Sequence, residues 1–404
     1  MPAAWRVRSR DGLGRNALGQ RMTPLDMRIT GAEVLRPDGM SPEPLVLEGG
    51  LVAEDSSGPR EVDLSGFLVL PGIVDIHGDG FEKHLAPRRG AMKDIDQGLI
   101  AAEAELAANG ITTGVLAQFY SWEGGMRGVE FAERVFAGLG QVRARLVTEL
   151  RAQLRFEVPL LDEYIAMADM VARHGIGYVV FNDHLPHDAL AAGKRPPRLT
   201  GQALRIGRNP EKHLEFMQGL HARMGEVPEA LDALCAELSR QGVRLGSHDD
   251  RTAEDRAVWR GRGVQIAEFP ETAEAVDAAA AAGDPVIMGA PNVVRGGSHK
   301  GNASAIERVA MGQVAALASD YHYPSLKRAA FLLADGGVCD LAGAWALISH
   351  GPARVLGLMD RGRLAPGQRA DLVVLDAATR SVGATISGGR VSYMSGVAAA
   401  RFLG

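Results

Sequence analysis

The sequence predicts an α/β protein: a (β/α)8 barrel of the TIM type with a small β-sandwich domain built from both chain ends. Three observations point there. Eight short apolar runs recur through the middle of the chain with helical patterns between them, both ends read as β-strand, and acids and histidines stand just after run upon run. An open doubly wound sheet would place a Gly-rich phosphate loop after its first strand, and GxGxxG is missing there.

Taken in order, residues 1–25 read as a flexible tail, rich in arginine and without the apolar core of a secretory signal. Residues 26–70 alternate short apolar runs with turn residues, which predicts a small antiparallel sheet. Residues 369–401 are β-rich again, with a hairpin signal at Gly388 and Gly389. Neither stretch can bury a core alone, so the two are expected to pair as one composite domain. Between them, residues 71–368 form the predicted barrel, with strands at 72–75, 111–116, 153–157, 178–181, 243–246, 264–268, 285–288 and 314–318. Residues 92–110 show the helical pattern, with Gly110 as the expected stop. The connection after His184 runs about sixty residues with a basic first part, and is expected to be a lid over the site or a solvated excursion.

The chain has 404 residues, 46% hydrophobic and 23% charged, with no apolar stretch of the ~18 residues a membrane span needs. A net charge of −5 argues against a general nucleic-acid binder, so any phosphate recognition has to be local. Cys235 and Cys339 sit in helical patterns far apart in sequence, and we expect two buried thiols in a cytoplasmic protein, with no disulfide framework. The 50 glycines beside 5% aromatics suit tight turns and loops that approach a ligand closely.

The barrel makes a sharp prediction, because its active site lies at the C-terminal strand ends. Strand one runs into His77 and Asp79, strand three ends in Glu157, strand four runs into His184, strand five into His248, strand six ends in Glu268 and strand eight in Asp320. One histidine at a strand end is usually structural; six such ends on one face argue for a divalent metal site. Imidazole and carboxylate together suit zinc, with manganese or iron accepting the same set, in one or two ions. Glu157 could bridge two ions, and Asp320 is placed to accept a proton from water that the cation acidifies. His174, His213, His221 and His350 read as surface residues.

Two basic clusters flank this face. Lys83 and Arg88 follow strand one, while Asn292, Arg295, Ser298, His299 and Lys300 follow strand seven in a Gly-rich loop. That loop lacks the Lys of a Walker motif, but its backbone N–H groups and cations could cradle a phosphate. The expected partner is a small phosphorylated or phosphonate substrate, with no nucleic acid, no membrane and a possible homo-oligomer. A deaminase or cyclic amidase acting on a C–N bond is the alternative enzyme. A non-catalytic protein that binds a phosphorylated ligand is the alternative from another class.

The segments HGDGFEKHLAPR, FNDH, GSHDD, IAEFPETAEA, MGAPNVVRGGSHKGNASA and SDYHYPSL resemble the phosphonate-metabolism branch of the amidohydrolase superfamily, from about residue 65 to 376. The resemblance implies a metal-dependent barrel that cleaves the diphosphate linkage of a ribose alkylphosphonate triphosphate. It carries onto His77, Asp79, Glu157, His184, His248, Glu268 and Asp320. The chain departs from the branch at Gly78, Gly80, His84 and Gln153, and reads LPHDAL after FNDH. These departures leave the metal residues in place and the substrate open. In the wider superfamily strands five and six usually both supply histidine, so Glu268 on strand six is unusual.

Overall fold

The computed structural model describes residues 23–54, 60–86, 94–296 and 303–404. Eight strands lie side by side in chain order: Ile73–Gly78, Ile111–Tyr120, Glu149–Glu157, Tyr178–Asn182, Arg244–His248, Ile266–Glu268, Val286–Gly289 and Ala316–Ala318. All seven pairings are parallel, as helical crossovers require. A parallel bridge from Gly78 to Asp320 joins the last strand to the first. At this seam Asp320 N–H donates to the His77 carbonyl at 3.0 Å, and Asp79 N–H to the Asp320 carbonyl at 2.8 Å. The eight predicted strands are all present, and the sixth ends in Glu268.

The barrel closes because its strands are apolar on both faces. Ile76, Val115, Tyr178, Val180, Ile266 and Ile287 fill its interior, while Leu99, Leu106, Leu317, Leu326 and Trp345 pack outside it. Helix Ile95–Ala108 shows how sequence sets a crossover: Asp94 caps it by accepting from Gln97 N–H at 3.2 Å, and Gly110 ends it at φ +83°.

Both chain ends build the second unit. Leu372–Asp376 pairs antiparallel with Phe67–Pro71 over five residues, in a six-stranded sheet that also holds Val382–Ser387, Arg390–Met394, Glu33–Arg36 and Gly39–Ser41. Gly388 and Gly389, at φ +57° and +73°, make the expected two-residue hairpin turn. A four-stranded sheet, Leu51–Ala53, Leu45–Glu48, Met27–Thr30 and Arg60–Asp63, lies against it, with Ile29, Leu45, Leu47, Val69, Leu372 and Val374 in one core. The N-terminal stretch is not purely antiparallel: Met27–Thr30 pairs parallel with Arg60–Asp63, and Glu33–Arg36 with Phe67–Pro71. Local alternation reports a strand but not its direction, which the crossovers set. The chain closes on a helix, Gly396–Leu403, that the sequence reading did not include.

The long connection after His184 is a packed helical layer. Helices His187–Ala191, Leu199–Arg205 and Pro210–Ala222 precede Val227–Arg240, the helix that returns to strand five. Leu190, Leu199 and Met217 share a core with Tyr120 and Trp122. Their arginines are partly neutralised, as where Arg195 meets Glu211 at 2.6 Å. His213 proves buried against Trp122, not exposed, because this layer covers it. Cys235 is buried and Cys339 only half-buried. Among the described residues, no helix is long and apolar enough to cross a membrane. The tail at residues 1–22 lies outside the described residues.

Candidate metal centre and anion cleft

The C-terminal mouth of the barrel gathers four of the seven strand-end residues, His77, His184, His248 and Glu268, into two overlapping sets of metal-type donors, with Glu157 and Asp320 beside them. His77, fully buried on strand one, holds Nδ1 3.0 Å from Glu268 Oε2, and His248 Nε2 lies 3.9 Å from the same oxygen. One ligand atom from each of the three lies within 4.8 Å of the others. Neither ring nitrogen of His77 makes a hydrogen bond of acceptable geometry, and neither does Glu268 Oε2. Buried polar atoms are rarely left so. The unpartnered His77 nitrogens and Glu268 Oε2, with the His248 ring beside them, fit a borderline divalent cation with an open coordination position.

The other oxygen of Glu268 is already committed. Gln153 Nε2 donates to Oε1 at 2.8 Å and the Tyr178 hydroxyl at 3.1 Å, which aims Oε2 at His77. Burial works to raise the Glu268 carboxyl, but His77, His248 and Arg155 outweigh it and keep it ionised. Gln153, a departure in the sequence, thus orients this carboxylate together with Tyr178.

A second set lies beside the first: His184, His248 and Asp249. Asp249 was not among the candidates, although the run His248-Asp249-Asp250 carried the signal. Its Oδ1 is 3.1 Å from His248 Nδ1 and its Oδ2 3.8 Å from His184 Nε2. Burial opposes the charge on His184, but Asp249 and Glu157 raise its ring to about 9. Excess carboxylate here selects a cation, whether proton or metal. Glu157, expected as a bridge, instead accepts from His184 at both oxygens: Nδ1 at 2.5 Å and backbone N–H at 2.9 Å. The two sets share His248 through opposite nitrogens, and a neutral imidazole has one lone pair, so the arrangement suits one ion at a time.

Asp79 stands apart from both sets. The strand ends at Gly78, and Asp79 Oδ2 faces the Arg155 guanidinium at 4.0 Å. Arg155 is the principal residue missed. It is buried at the centre of the mouth, donates to His248 Nε2 at 2.9 Å, and lies 3.9 Å over the Phe119 ring, while Arg127 stacks on the same ring at 4.2 Å. Gln153, Arg155 and Glu157 share one strand face by alternation, a signal that was present in the sequence. Asp320 completes the mouth; burial, helped by the Asp79 charge, pushes its carboxyl up to about 6 against His77 and Arg155. Asp249, Phe269 and Asp320 all hold left-handed backbone at φ +62°, +54° and +57°, strain that clusters at functional strand ends.

A cavity of about 280 Å³ opens over these groups, lined by Arg155, His248, Asp249, Asn292, Arg295 and Asp320 among others. Asn292 and Arg295 come from helix Ala290–Arg295 after strand seven, and Arg295 also meets the Tyr321 hydroxyl. Lys83 does not reach this cleft: its ammonium pairs with Glu105 at 2.6 Å, beside His84 on the same carboxylate. Arg88, Ser298, His299 and Lys300 lie outside the described residues. Gly78 is needed at the seam, because a Cβ there would stand 2.8 Å from the Tyr323 ring and 2.7 Å from Asp75 Oδ2.

Comparison with known proteins agrees with this architecture. The profile of the amidohydrolase family matches residues 157–393. The α-D-ribose 1-methylphosphonate 5-triphosphate diphosphatase of Escherichia coli (strain K12) is 34% identical over 338 residues, 78% of this chain and 85% of the relative. The β-aspartyl dipeptidase of Fervidobacterium islandicum AW-1 superposes with a TM-score of 0.59 at 15% identity, over 92% of this chain and 99% of that one. A D-aminoacylase gives 0.59 at 16% identity, over 92% and 97%. The last two show a shared fold alone.

Proposed function

Because this chain belongs to the amidohydrolase family and is a metal-dependent hydrolase, we propose that it cleaves the diphosphate linkage of an α-D-ribose 1-alkylphosphonate 5-triphosphate or a close analogue. The observation that carries this reading is the fixed cation at the floor of the cleft. Arg155 is buried beside the metal-type residues and faces the cavity that Arg295 and Asn292 also line. A neutral amide offers that guanidinium no anion beyond Asp79 at 4.0 Å, whereas phosphate oxygens accept its N–H groups in charge-assisted hydrogen bonds.

His77, His248 and Glu268 would hold the divalent ion, zinc by the chemistry of its donors with manganese or iron as alternatives. Bound there, the ion supplies Lewis acidity to a phosphoryl oxygen and makes water more acidic. Arg155 and Arg295 hold the phosphate oxygens, while Phe119 and Asp79 keep the Arg155 guanidinium in place. Asp320 takes a proton as water adds to phosphorus, and returns it to the departing diphosphate. A carboxyl near 6 suits both roles close to neutral pH. Such a substrate and mechanism suit a cytoplasmic enzyme of small phosphorylated compounds.

The test is turnover of the metal-loaded protein on α-D-ribose 1-methylphosphonate 5-triphosphate, read as diphosphate release, beside a neutral dipeptide. Asp320→Asn is expected to lose roughly 10²–10⁴ in kcat. Arg155→Met is expected to lose about 10–150-fold in kcat/KM, the worth of one hydrogen bond to a charged group. Dipeptide hydrolysis that Arg155→Met leaves intact, with no diphosphate release by the unaltered protein, would replace this reading with C–N hydrolysis.

A further inference from the structure

Strand four ends in a buried side chain that the proposed reaction does not use. Asn182 is 2% exposed, and neither its carboxamide oxygen nor its nitrogen has a hydrogen-bond partner among the described residues. Exchanging the two atoms would not mend this, because both lack one. Other buried amides of the barrel are engaged: Gln153 donates to Glu268 at 2.8 Å, and Gln118 to the Met126 carbonyl at 2.8 Å. A buried amide with both ends unmet is rare and calls for an explanation.

Alternation fixes where this side chain points. Phe181 stacks outward on Trp259, while Tyr178 and Val180 lie in the barrel interior with Ile76 and Ile287, so Asn182 faces inward at the C-terminal mouth. Register sets its neighbours. Asn182 is level with Glu157 on strand three. Phe181 pairs with Ser247, so one step further Asn182 stands beside His248, which is itself level with Glu268. With about 4.8 Å between one strand and the next, the amide belongs to the same ring of residues as the metal-type donors.

At this level most polar atoms are already spent. Both Glu157 oxygens accept from His184, and Glu268 Oε1 accepts from Gln153 and Tyr178. Those left without a partner include the two nitrogens of His77 and Glu268 Oε2, the atoms assigned to the cation, together with the Asn182 amide. An amide oxygen is a neutral donor that such a cation accepts without further charge. We infer that Asn182 is a fourth protein ligand of the divalent ion held by His77, His248 and Glu268, through its carboxamide oxygen. The Asn182 nitrogen is then left to donate to Glu157, whose oxygens keep lone pairs beyond the bonds from His184. The inference rests on the assignment of the metal centre and not on the reaction performed there. It also bears on which metal the site prefers, because a carbonyl oxygen suits manganese, whereas zinc is complete with three protein ligands and water.

The test is the affinity of the full-length protein for manganese and for zinc, each measured by competition with a chromophoric chelator. Asn182→Leu keeps the shape and removes the oxygen; Asn182→Ala removes it with less bulk, so one serves if the other does not fold. Each should weaken manganese binding at least about tenfold and zinc binding clearly less. Asn182→Asp puts back an oxygen donor and should hold manganese at least as tightly as the unaltered chain. A merely structural role would weaken both metals alike, with no rescue by Asn182→Asp. Circular dichroism establishes that each variant is folded. His77→Ala separates the inference from the metal centre: it should lose affinity for both metals, and if it does not, the centre and the inference fall together. With His77→Ala impaired, unchanged manganese affinity in Asn182→Leu and Asn182→Ala, or equal losses of the two metals, would overturn the role of Asn182 alone.

Discussion

Arg256 sits on helix Ala253–Gly261 and ties three barrel strands together, so replacing it with methionine tests whether that network supports the fold. The side chain is 2% exposed. Its Nη1 donates to Ser247 Oγ at 2.6 Å and Asp250 Oδ2 at 3.0 Å; its Nη2 donates to Asp284 Oδ2 at 2.8 Å and the Gln265 carbonyl at 3.1 Å. Methionine fills most of the space and donates nothing. Removing one member of a buried ionic network costs about 3–5 kcal/mol. Asp250 keeps the Ser247 hydroxyl at 2.6 Å and Asp284 keeps Arg260 at 2.7 Å, which argues for the lower end, about 3 kcal/mol. At about 2.1 cal/mol/K per residue, a 404-residue chain that unfolds cooperatively has roughly 0.85 kcal/mol/K of unfolding entropy, so the melting temperature should fall by roughly 3–4 °C. The sign with pH is also set. Burial already raises the Asp250 carboxyl against Ser247 and Arg256, and without the arginine it rises further. A carboxyl raised in the folded state is stabilising when protonated, so the deficit should shrink as pH falls from 7 toward 5. Scanning calorimetry on both proteins at both pH values reads this out. A shift under about 1 °C, or a deficit that widens in acid, would refute the reasoning.

Three further outcomes follow from the same geometry. Tyr178→Phe removes a donor that orients Glu268 and should weaken metal affinity by roughly 10–100-fold, measured by competition with a chromophoric chelator. Glu149→Gln probes acid stability: burial raises the Glu149 carboxyl, but Arg361, Arg369 and Arg151 hold it well below the usual range. Its contribution is therefore present in full above about pH 4.5 and lost as pH falls below that, so urea midpoints of the two proteins should differ at pH 7 and converge toward pH 3. Gly351→Ala would set a Cβ 2.1 Å from the Ala315 carbonyl oxygen, which cannot retreat, and should cost about 1–3 kcal/mol. Gly201→Ala, with nothing within 4 Å, is the control and should not lower the midpoint.

The strand count was legible because barrel strands are apolar runs between helices, and periodicity survives without tertiary information. The strand-end rule then pointed to His77, His248, Glu268 and Asp320 from position alone. It failed where a side chain's direction depends on its neighbours. Asp79 was read as a ligand by alternation, yet the chain leaves the strand at Gly78 to close the barrel through Asp320, and its carboxylate turns to Arg155. Lys83 was read as a substrate contact by proximity in sequence, but Glu105, on the helix that follows, lies nearer.

Arg155 illustrates the opposite error. An arginine in a strand that also carries Arg151 and Gln153 looks like a solvent-facing residue, and only closure of the barrel makes that face an interior where a cation has to be matched by His248, Asp79 and the Phe119 ring. Asp249 is similar, since its left-handed backbone brings it beside His184, and no local pattern encodes that turn. What the amino-acid order determined by itself was the alternation of strand and helix, and hence which residues stand at one mouth. What only the tertiary structure decided was which of them share a cation, which support one another and which face away. Residue spacing sets position along one strand, whereas ligation and charge depend on distances between strands far apart in the chain.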